Sequence, residues 1–169
     1  NSFHIIGKDI LKFHAVYWPA LLLANNINLP KRIIAHGWWT NEGKKISKSI
    51  GNTIDPNEMI DKYGLDQFRY FLIREIPLGN DGDFSKEAFL NRINSDLSNN
   101  LGNLIQRVMK FIYKNFDNRL PSKIDSTLDG YNLIKDGYEL LPFIDERIEN
   151  FEISKCLEEI FVYIDKLNK

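Results

Sequence analysis

Lys44, Lys45 and Lys48 place three ammonium groups within five residues, interleaved with the hydroxyls of Ser47 and Ser49 and flanked by Gly43 and Gly51. Such a segment can bring positive charge onto a triphosphate, where it counts most as pyrophosphate leaves and negative charge accumulates. Glycine on both sides lets the segment close and reopen. A Walker A cradle is excluded by spacing: five residues separate Gly37 from Gly43 rather than four, and the lysine is followed by another lysine. A solvated surface loop is the plain alternative for any Lys/Ser stretch. Position argues for the chemical reading, because the segment follows the strand-like Ile33-Ile34-Ala35, closed by His36-Gly37. Ligands of open α/β sheets bind beyond the carboxyl ends of strands.

Other candidates stand nearby. Gly7 and Asp9 follow a short apolar run, at a strand-to-helix turn, where Asp9 can accept hydrogen bonds from ribose hydroxyls or cap the helix. Ile10, His14 and Trp18 fall four residues apart on one helical face, the spacing of a core-facing stripe. Asn103 and Arg107 lie one helical turn apart; they are either two exposed polar residues or an amide and a guanidinium offered to the edges of unstacked bases. His4, His14 and His36 have no cysteine partner and no tight ligand spacing, so no metal site is expected.

Local patterns indicate the elements that must position these groups. A strand at 3–6, a helical pattern through Ile10, His14, Tyr17, Trp18 and Leu21, and a second strand at Ile33–Ala35 make a βαβ unit, which implies a parallel sheet. Pro19 should kink this helix or cap a second piece. Residues 40–54 lack periodicity and read as a loop. Asp55, Pro56 and Glu58 then start a helix that Gly64 ends, and Asp66 opens another. Leu78 to Phe84 reads as a Gly/Asp loop. Ser85 caps a long helix to about Asn115, with the stripe Phe89, Ile93, Leu97, Leu101, Leu104, Val108 and Phe111. A linker over 117–127 precedes two more helical patterns, the first interrupted by Pro142. The fold class is therefore α/β followed by all-α.

The chain has 169 residues, 43% hydrophobic and 27% charged, with a net charge of −1 from 22 basic and 23 acidic residues. This balance excludes a general polyanion-binding coat, so any nucleic acid must bind at a local site. The lone cysteine, Cys156, sits among apolar residues and can form no disulfide within the chain, which fits a reducing, cytoplasmic setting. No apolar run is long enough for a membrane span. The first residue is Asn1 rather than Met, and the last lies within a helical pattern, so the chain reads as a piece of a longer one.

Gly43-x-Lys45-Ile46-Ser47-Lys48-Ser49-x-Gly51-Asn52 resembles the KMSKS signature of class I aminoacyl-tRNA synthetases. The ordered flanks resemble the methionyl-tRNA synthetase family in particular. They are His4-Ile5-Ile6-Gly7-Lys8-Asp9-Ile10, Phe13-His14, Trp18-Pro19, His36-Gly37-Trp38, Asp66-x-x-Arg69-Tyr70-Phe71-Leu72, Asp81-Gly82-Asp83-Phe84-Ser85, Asn94-x-Asp96-Leu97 and Gly102-Asn103-Leu104-x-x-Arg107. The resemblance runs from residue 3 to about 116 and weakens beyond.

It implies part of a Rossmann-like catalytic domain over 1–54, a helical linking segment over 55–84, and an incomplete helical anticodon-binding domain over 85–169. By the same resemblance, Lys45 and Lys48 would act catalytically on the ATP phosphates, with Gly7, Asp9, His36 and Ser47 also binding ATP. Ile10, His14 and Trp18 would form the methionine pocket, whose polarizable edges suit a thioether. Asn103 and Arg107 would read the anticodon of tRNA(Met), and an anticodon-stacking aromatic would fall past Lys169. Ile46 replaces the commoner Met with another apolar side chain. Partners would be ATP with Mg²⁺, methionine and tRNA(Met), with no membrane or DNA partner. The family's HIGH-like signature does not occur in these 169 residues, so the chain alone is expected to be inactive. Two alternatives stay open: a class I synthetase for leucine, isoleucine or valine, and a non-catalytic tRNA-binding module of the same ancestry.

Overall fold

A computed structural model describes residues 2–117, 119–120, 127 and 130–169 of the chain. The expected linker over 117–127 lies largely outside these described residues.

Two strands, β1 (Phe3–Gly7) and β2 (Arg32–His36), pair in parallel from Phe3 opposite Arg32 to Gly7 opposite His36. Their carboxyl ends therefore lie side by side, as the βαβ reading requires. The crossover runs through a 3₁₀ turn (Lys8–Ile10), a π-helical stretch (Phe13–Tyr17) and helix α1 (Trp18–Ala24). Pro19 falls in the first turn of α1, at the start of a second helical piece, which is the second of the two expected outcomes. The widened turn before it gives room to a ring that would otherwise meet the carbonyl of the preceding turn. Asn26, at φ 54°, closes α1 in the left-handed conformation that asparagine tolerates.

Residues 40–54 are not simply a loop. Strand β3 (Trp39–Asn41) turns back into β4 (Lys44–Lys45), and the expected loop at 78–84 contributes β5 (Gly82–Phe84), parallel to β3. Glu42 and Gly43 both have positive φ, 50° and 72°, the two-residue turn whose twist matches an antiparallel hairpin.

Helix α2 (Pro56–Tyr63) starts as expected: the Asp55 carboxylate accepts the Asn57 N–H, and Pro56 occupies the first turn. Gly64 separates it from α3 (Leu65–Glu75). Ser85 caps α4 (Lys86–Arg92) by accepting the Ala88 N–H. From there one helical rod continues through a π-helical stretch (Ile93–Gly102) into α5 (Asn103–Asn115). Helix α6 (Tyr131–Glu149) runs straight through Pro142, contrary to the expected interruption, and α7 (Ile153–Leu167) packs back on it. The Tyr163 hydroxyl donates to the Leu133 carbonyl across this pair.

The central core is aromatic. Phe68, Phe71, Phe84 and Phe89 are buried together, with Trp39, Ile54, Met59 and Tyr63 packed around them. Phe71 stands edge-on to Phe84 and to Phe89, with ring centroids 5.6 and 5.2 Å apart. One cluster thus joins the small sheet to α2, α3 and α4. Helix α7 adds Cys156, Phe161 and Ile164. Burial, aided by Asp145, pushes the Cys156 thiol up, as expected of a core residue that does no chemistry. Between α3 and the π-helical stretch, Tyr70 donates to Asp96, while Arg92 pairs with Glu75 at 2.9 Å and with Asp96 at 3.5 Å. Burial, the hydrogen bond to Asp96 and its negative charge all push the Tyr70 phenol up, so it stays a donor.

The amino ends of β1 and β2 are fastened to the turn between α6 and α7. Arg32 donates to the Glu149 carbonyl at 2.8 Å and lies over the Phe151 ring, which also meets Phe3 at 5.8 Å. The opposite ends of the strands, at Gly7 and His36, stay open.

Replacing Phe89, which is fully buried, with alanine is expected to lower the unfolding free energy by about 3–5 kcal/mol. Ser85→Ala should cost about 1 kcal/mol and Ser85→Asp much less. Urea denaturation of each variant, at constant slope, checks both values.

Candidate functional site

The open ends of β1 and β2 bring two motifs together. Gly7 and His36 are direct neighbours in the ladder, so the Gly-Lys-Asp and His-Gly segments leave the sheet side by side. The Asp9 carboxylate folds back over Gly7: a Cβ built at Gly7 would lie 2.5 Å from Asp9 Oδ1 and 3.8 Å from His36 Cε1. The His36 Nδ1–H donates to the Gly37 carbonyl at 2.9 Å, which turns the ring along the backbone.

The second wall of the site comes from the hairpin. Asp9, Trp38, Trp39, Thr40, Lys45 and Ile46 line one cleft of about 510 Å³. Asp9 reaches it from the first strand pair; Lys45 and Ile46 reach it from the hairpin and the turn that follows. Asn52 staples that turn. Its Oδ1 accepts the Ser47 N–H at 2.9 Å, its Nδ2 donates to the Lys45 carbonyl at 3.0 Å, and its own carbonyl accepts from Asn41 at 2.8 Å. The Ser47 and Ser49 hydroxyls lie 2.8 Å apart. Lys48 is exposed on the following turns, where its carbonyl accepts the Gly51 N–H. Among the described residues neither Lys45 nor Lys48 has a carboxylate within ion-pair distance.

Lys8 differs in this respect. Its ammonium pairs with both oxygens of Asp81, at 2.5 and 2.6 Å, and lies 4.4 Å from the centre of the Trp38 ring. Asp81 also accepts the Trp38 N–H at 2.8 Å. Gly37 makes this junction possible, since a Cβ there would fall 2.0 Å from the Asn80 carbonyl oxygen. Lys8, Asp81 and Asn52 were not singled out by residue type alone. The one available signal is their place inside three of the quoted motifs.

Of Ile10, His14 and Trp18, the last two meet through their rings, and Ile10 meets His14 through its backbone carbonyl. His14 Nδ1–H donates to the Ile10 carbonyl at 3.1 Å, and its ring meets Trp18 edge-on at 6.1 Å, with His4 on another side of Trp18 at 4.8 Å. These three residues are not in the lining of the Asp9–Lys45 cleft.

Asn103 and Arg107 lie far along the chain, in the first turns of α5, both exposed. Each is engaged internally. Asn103 donates to the Asn99 carbonyl at 2.8 Å, and Arg107 donates to Asn168 Oδ1. Asn168 in turn donates to Asn100 at 2.6 Å, and Asn100 to Asp165 at 2.7 Å. This polar chain joins residues more than sixty positions apart, and periodicity carries no trace of it. Beside it, Leu104, Val108 and Phe111 line a groove with Leu167. The far end of the expected stripe is consequently open to solvent, with Phe111 61% exposed.

A family profile described as class I tRNA synthetases (M) matches residues 1–109. The methionine–tRNA ligase of Rickettsia conorii is 49% identical over 168 residues, covering 98% of this chain and 33% of that protein. The methionine–tRNA ligase of Caldanaerobacter subterraneus is 45% identical, covering 98% of this chain and 26% of that protein. Among solved structures, Mycobacterium tuberculosis methionyl-tRNA synthetase in complex with methionyl-adenylate superposes with a TM-score of 0.90 at 44% identity, over 97% of this chain and 32% of that one. The chain thus spans about a third of the length of the first of these relatives.

The Lys8 pairing, then the Trp38 N–H, hold the Asp81 carboxyl below the usual carboxylate range. A carboxyl depressed on folding adds stability above its unfolded value, and that contribution is lost as pH falls through the folded value. Carboxyl-carbon NMR is expected to show Asp81 titrating below an ordinary aspartate, and Lys8→Met should move its midpoint upward. An unmoved midpoint would mean that the clamp does not form in solution.

Proposed function

The chain belongs to the class I tRNA synthetases (M), and from that membership we propose that it supplies the phosphate-handling wall and part of the tRNA-reading helix of a longer methionine–tRNA ligase. The whole enzyme would join methionine to ATP, forming methionyl-adenylate and pyrophosphate, and then pass the methionyl group to tRNA(Met). The observation that carries this reading is the single cleft lined by Asp9 on one side and Lys45 and Ile46 on the other. A carboxylate facing an uncompensated ammonium suits a nucleotide, with ribose hydroxyls donating to the first and phosphate oxygens accepting from the second.

In this reading residues 1–54 belong to the nucleotide-binding domain, 55–84 to a helical link and 85–169 to the anticodon-binding domain. Gly7, Asp9 and His36 hold the adenosine end of ATP, while Lys45, Ser47 and Lys48 hold its phosphates. A carboxylate oxygen of methionine attacks the α-phosphorus and pyrophosphate departs with the electron pair of the broken P–O bond. Lys45 and Lys48 stabilise the charge that builds on the leaving oxygens, which lowers the barrier because the contact is strongest in the transition state. Ile10, His14 and Trp18 face the methionine side chain, where an aromatic edge and an apolar wall favour a thioether. Asn103 and Arg107 pair with anticodon base edges after leaving their internal partners. Mg²⁺ is expected to accompany ATP. Among the described residues no three carboxylate, imidazole or thiol groups converge to hold a metal ion. No helix among the described residues is long and apolar enough to cross a membrane.

Lys48→Ala in the full-length enzyme should reduce the turnover of methionine-dependent ATP–pyrophosphate exchange by roughly 10²–10³-fold with methionine binding unchanged. Unaltered turnover would remove Lys48 from the mechanism. Arg107→Ala should leave that exchange intact and weaken aminoacylation of tRNA(Met) by about 1–3 kcal/mol in kcat/KM. Equal losses in both assays would contradict its assignment to tRNA.

A further inference from the structure

The hairpin that delivers Lys45 is held by two carboxylates outside the cleft lining. The Asp83 carboxylate accepts the Gly43 N–H at 2.8 Å and the Thr40 hydroxyl, so it grips both sides of the β3–β4 turn. The Glu42 carboxylate, at the tip of that turn, accepts the Lys86 N–H at 3.1 Å, and the Glu42 N–H donates to the Phe84 carbonyl at 2.9 Å. Lys86 is the first residue of α4, whose free N–H groups favour an anionic partner. The β3–β5 ladder completes the joint. The turn leading into the Lys-Ile-Ser-Lys-Ser segment is therefore bolted to the start of the rod that carries Asn103 and Arg107 farther along.

We propose that Asp83 and Glu42 are positioning residues that fix the hairpin on the head of α4, and so set where Lys45 and Lys48 stand when phosphate arrives. The proposal rests on the reading of those lysines as phosphate-binding groups. Its physical basis is leverage. Gly43 has a positive φ and nothing within 4 Å of the place a Cβ would occupy, so packing does not hold the turn tip. Besides the β3–β4 ladder, the Gly43 and Thr40 bonds to Asp83, the Lys86 bond to Glu42 and the Glu42 bond to Phe84 fix its orientation. Lys45 follows two residues later, and a shift of about 1 Å at a reacting centre can cost on the order of 10²-fold in rate. Neither carboxylate needs to touch substrate for this. Acceptor geometry is what matters, so an amide oxygen at position 83 can serve in place of a carboxylate.

The test uses the full-length enzyme with Asp83→Ala, Asp83→Asn and Glu42→Ala, and Lys48→Ala as reference. Asp83→Ala is expected to lower the kcat of ATP–pyrophosphate exchange by roughly 10²-fold with the KM for methionine unchanged. Asp83→Asn should recover most of that loss, because Asn Oδ1 still accepts the Gly43 N–H. Amide hydrogen exchange should accelerate at residues 43–52 in Asp83→Ala and at 42–45 in Glu42→Ala, with β1 and β2 protected as in the parent. Exchange at 43–52 unchanged in Asp83→Ala would overturn the proposal. So would an Asp83→Asn variant as slow as Asp83→Ala. If Lys48→Ala keeps full turnover, the phosphate reading has failed instead, and the hydrogen-exchange result still decides whether Asp83 holds the hairpin. Loss of protection in β1 and β2 as well would show a residue that merely supports the fold, and would equally overturn the positioning role.

Discussion

Parallel pairing of Trp39–Asn41 with Gly82–Phe84 is the joint on which the arrangement depends. Three residues of backbone ladder are weak by themselves, since short strands need a packed face to persist. Here the face is supplied from beneath: Phe84 ends β5 and Trp39 opens β3, and both enter the cluster built on Phe71 and Phe89. Burying aromatic side chains of this size contributes several kcal/mol, well beyond what the ladder's hydrogen bonds add net. Hydrophobic packing thus holds the joint closed, and the hydrogen bonds specify its register. Because β5 runs directly into the Ser85 cap of α4, fixing the register also fixes the hairpin relative to the helical rod.

Local signals were legible and non-local ones were not. The strands at Phe3–Gly7 and Arg32–His36, the Asp55 and Ser85 caps and the Gly64 stop each declare themselves within four or five residues, since a cap or a buried apolar run is a local physical event. Strands β3, β4 and β5 do not. Trp-Thr-Asn, Lys-Lys and Gly-Asp-Phe show no alternation of useful length, and each becomes a strand only because a distant segment offers its backbone. Pro142 misled for the opposite reason. A proline predicts a break from its missing donor, yet the packing of α6 against α7 carries the helix through it. The candidate site divides in the same way. The Lys-Ile-Ser-Lys-Ser segment, Asp9 and His36 were visible as motif residues. What Asp83, Asp81 and Asn168 do became visible only once residues far apart in sequence were placed beside them.

Much apolar surface around the first strand pair is uncovered. Ile5 is 60% exposed and Leu21 65%, with Phe3, Phe13 and Val16 similarly open. A parallel pair ordinarily has both faces covered. That pattern is consistent with a chain spanning about a third of the Rickettsia conorii relative it matches. By contrast, the cluster around Phe71 is closed by residues of this chain alone. The part that bears the hairpin is therefore internally supported, while the part that bears Asp9 and His36 leaves apolar area for further covering.

In the proposed reading a nearly neutral chain addresses a triphosphate, which places particular demands on where its charges stand. With a net charge of −1, no long-range field draws an anion in, and attraction must come from groups within a Debye length of about 8 Å. Lys8 lies near the same strand ends but is already neutralised by Asp81 and the Trp38 face, so its charge serves structure. Lys45 and Lys48 have no such partner among the described residues, and the hydrogen bonds that hold their segment come from Asn52, Asn41 and Asp83 to backbone groups, leaving the ammonium groups unspent. An arrangement that used carboxylate–lysine pairs to hold the segment would cancel the charge that the proposed reading requires. Holding the backbone with amide side chains and the two offset carboxylates of Asp83 and Glu42 keeps the turn ordered while its lysines remain without a carboxylate partner.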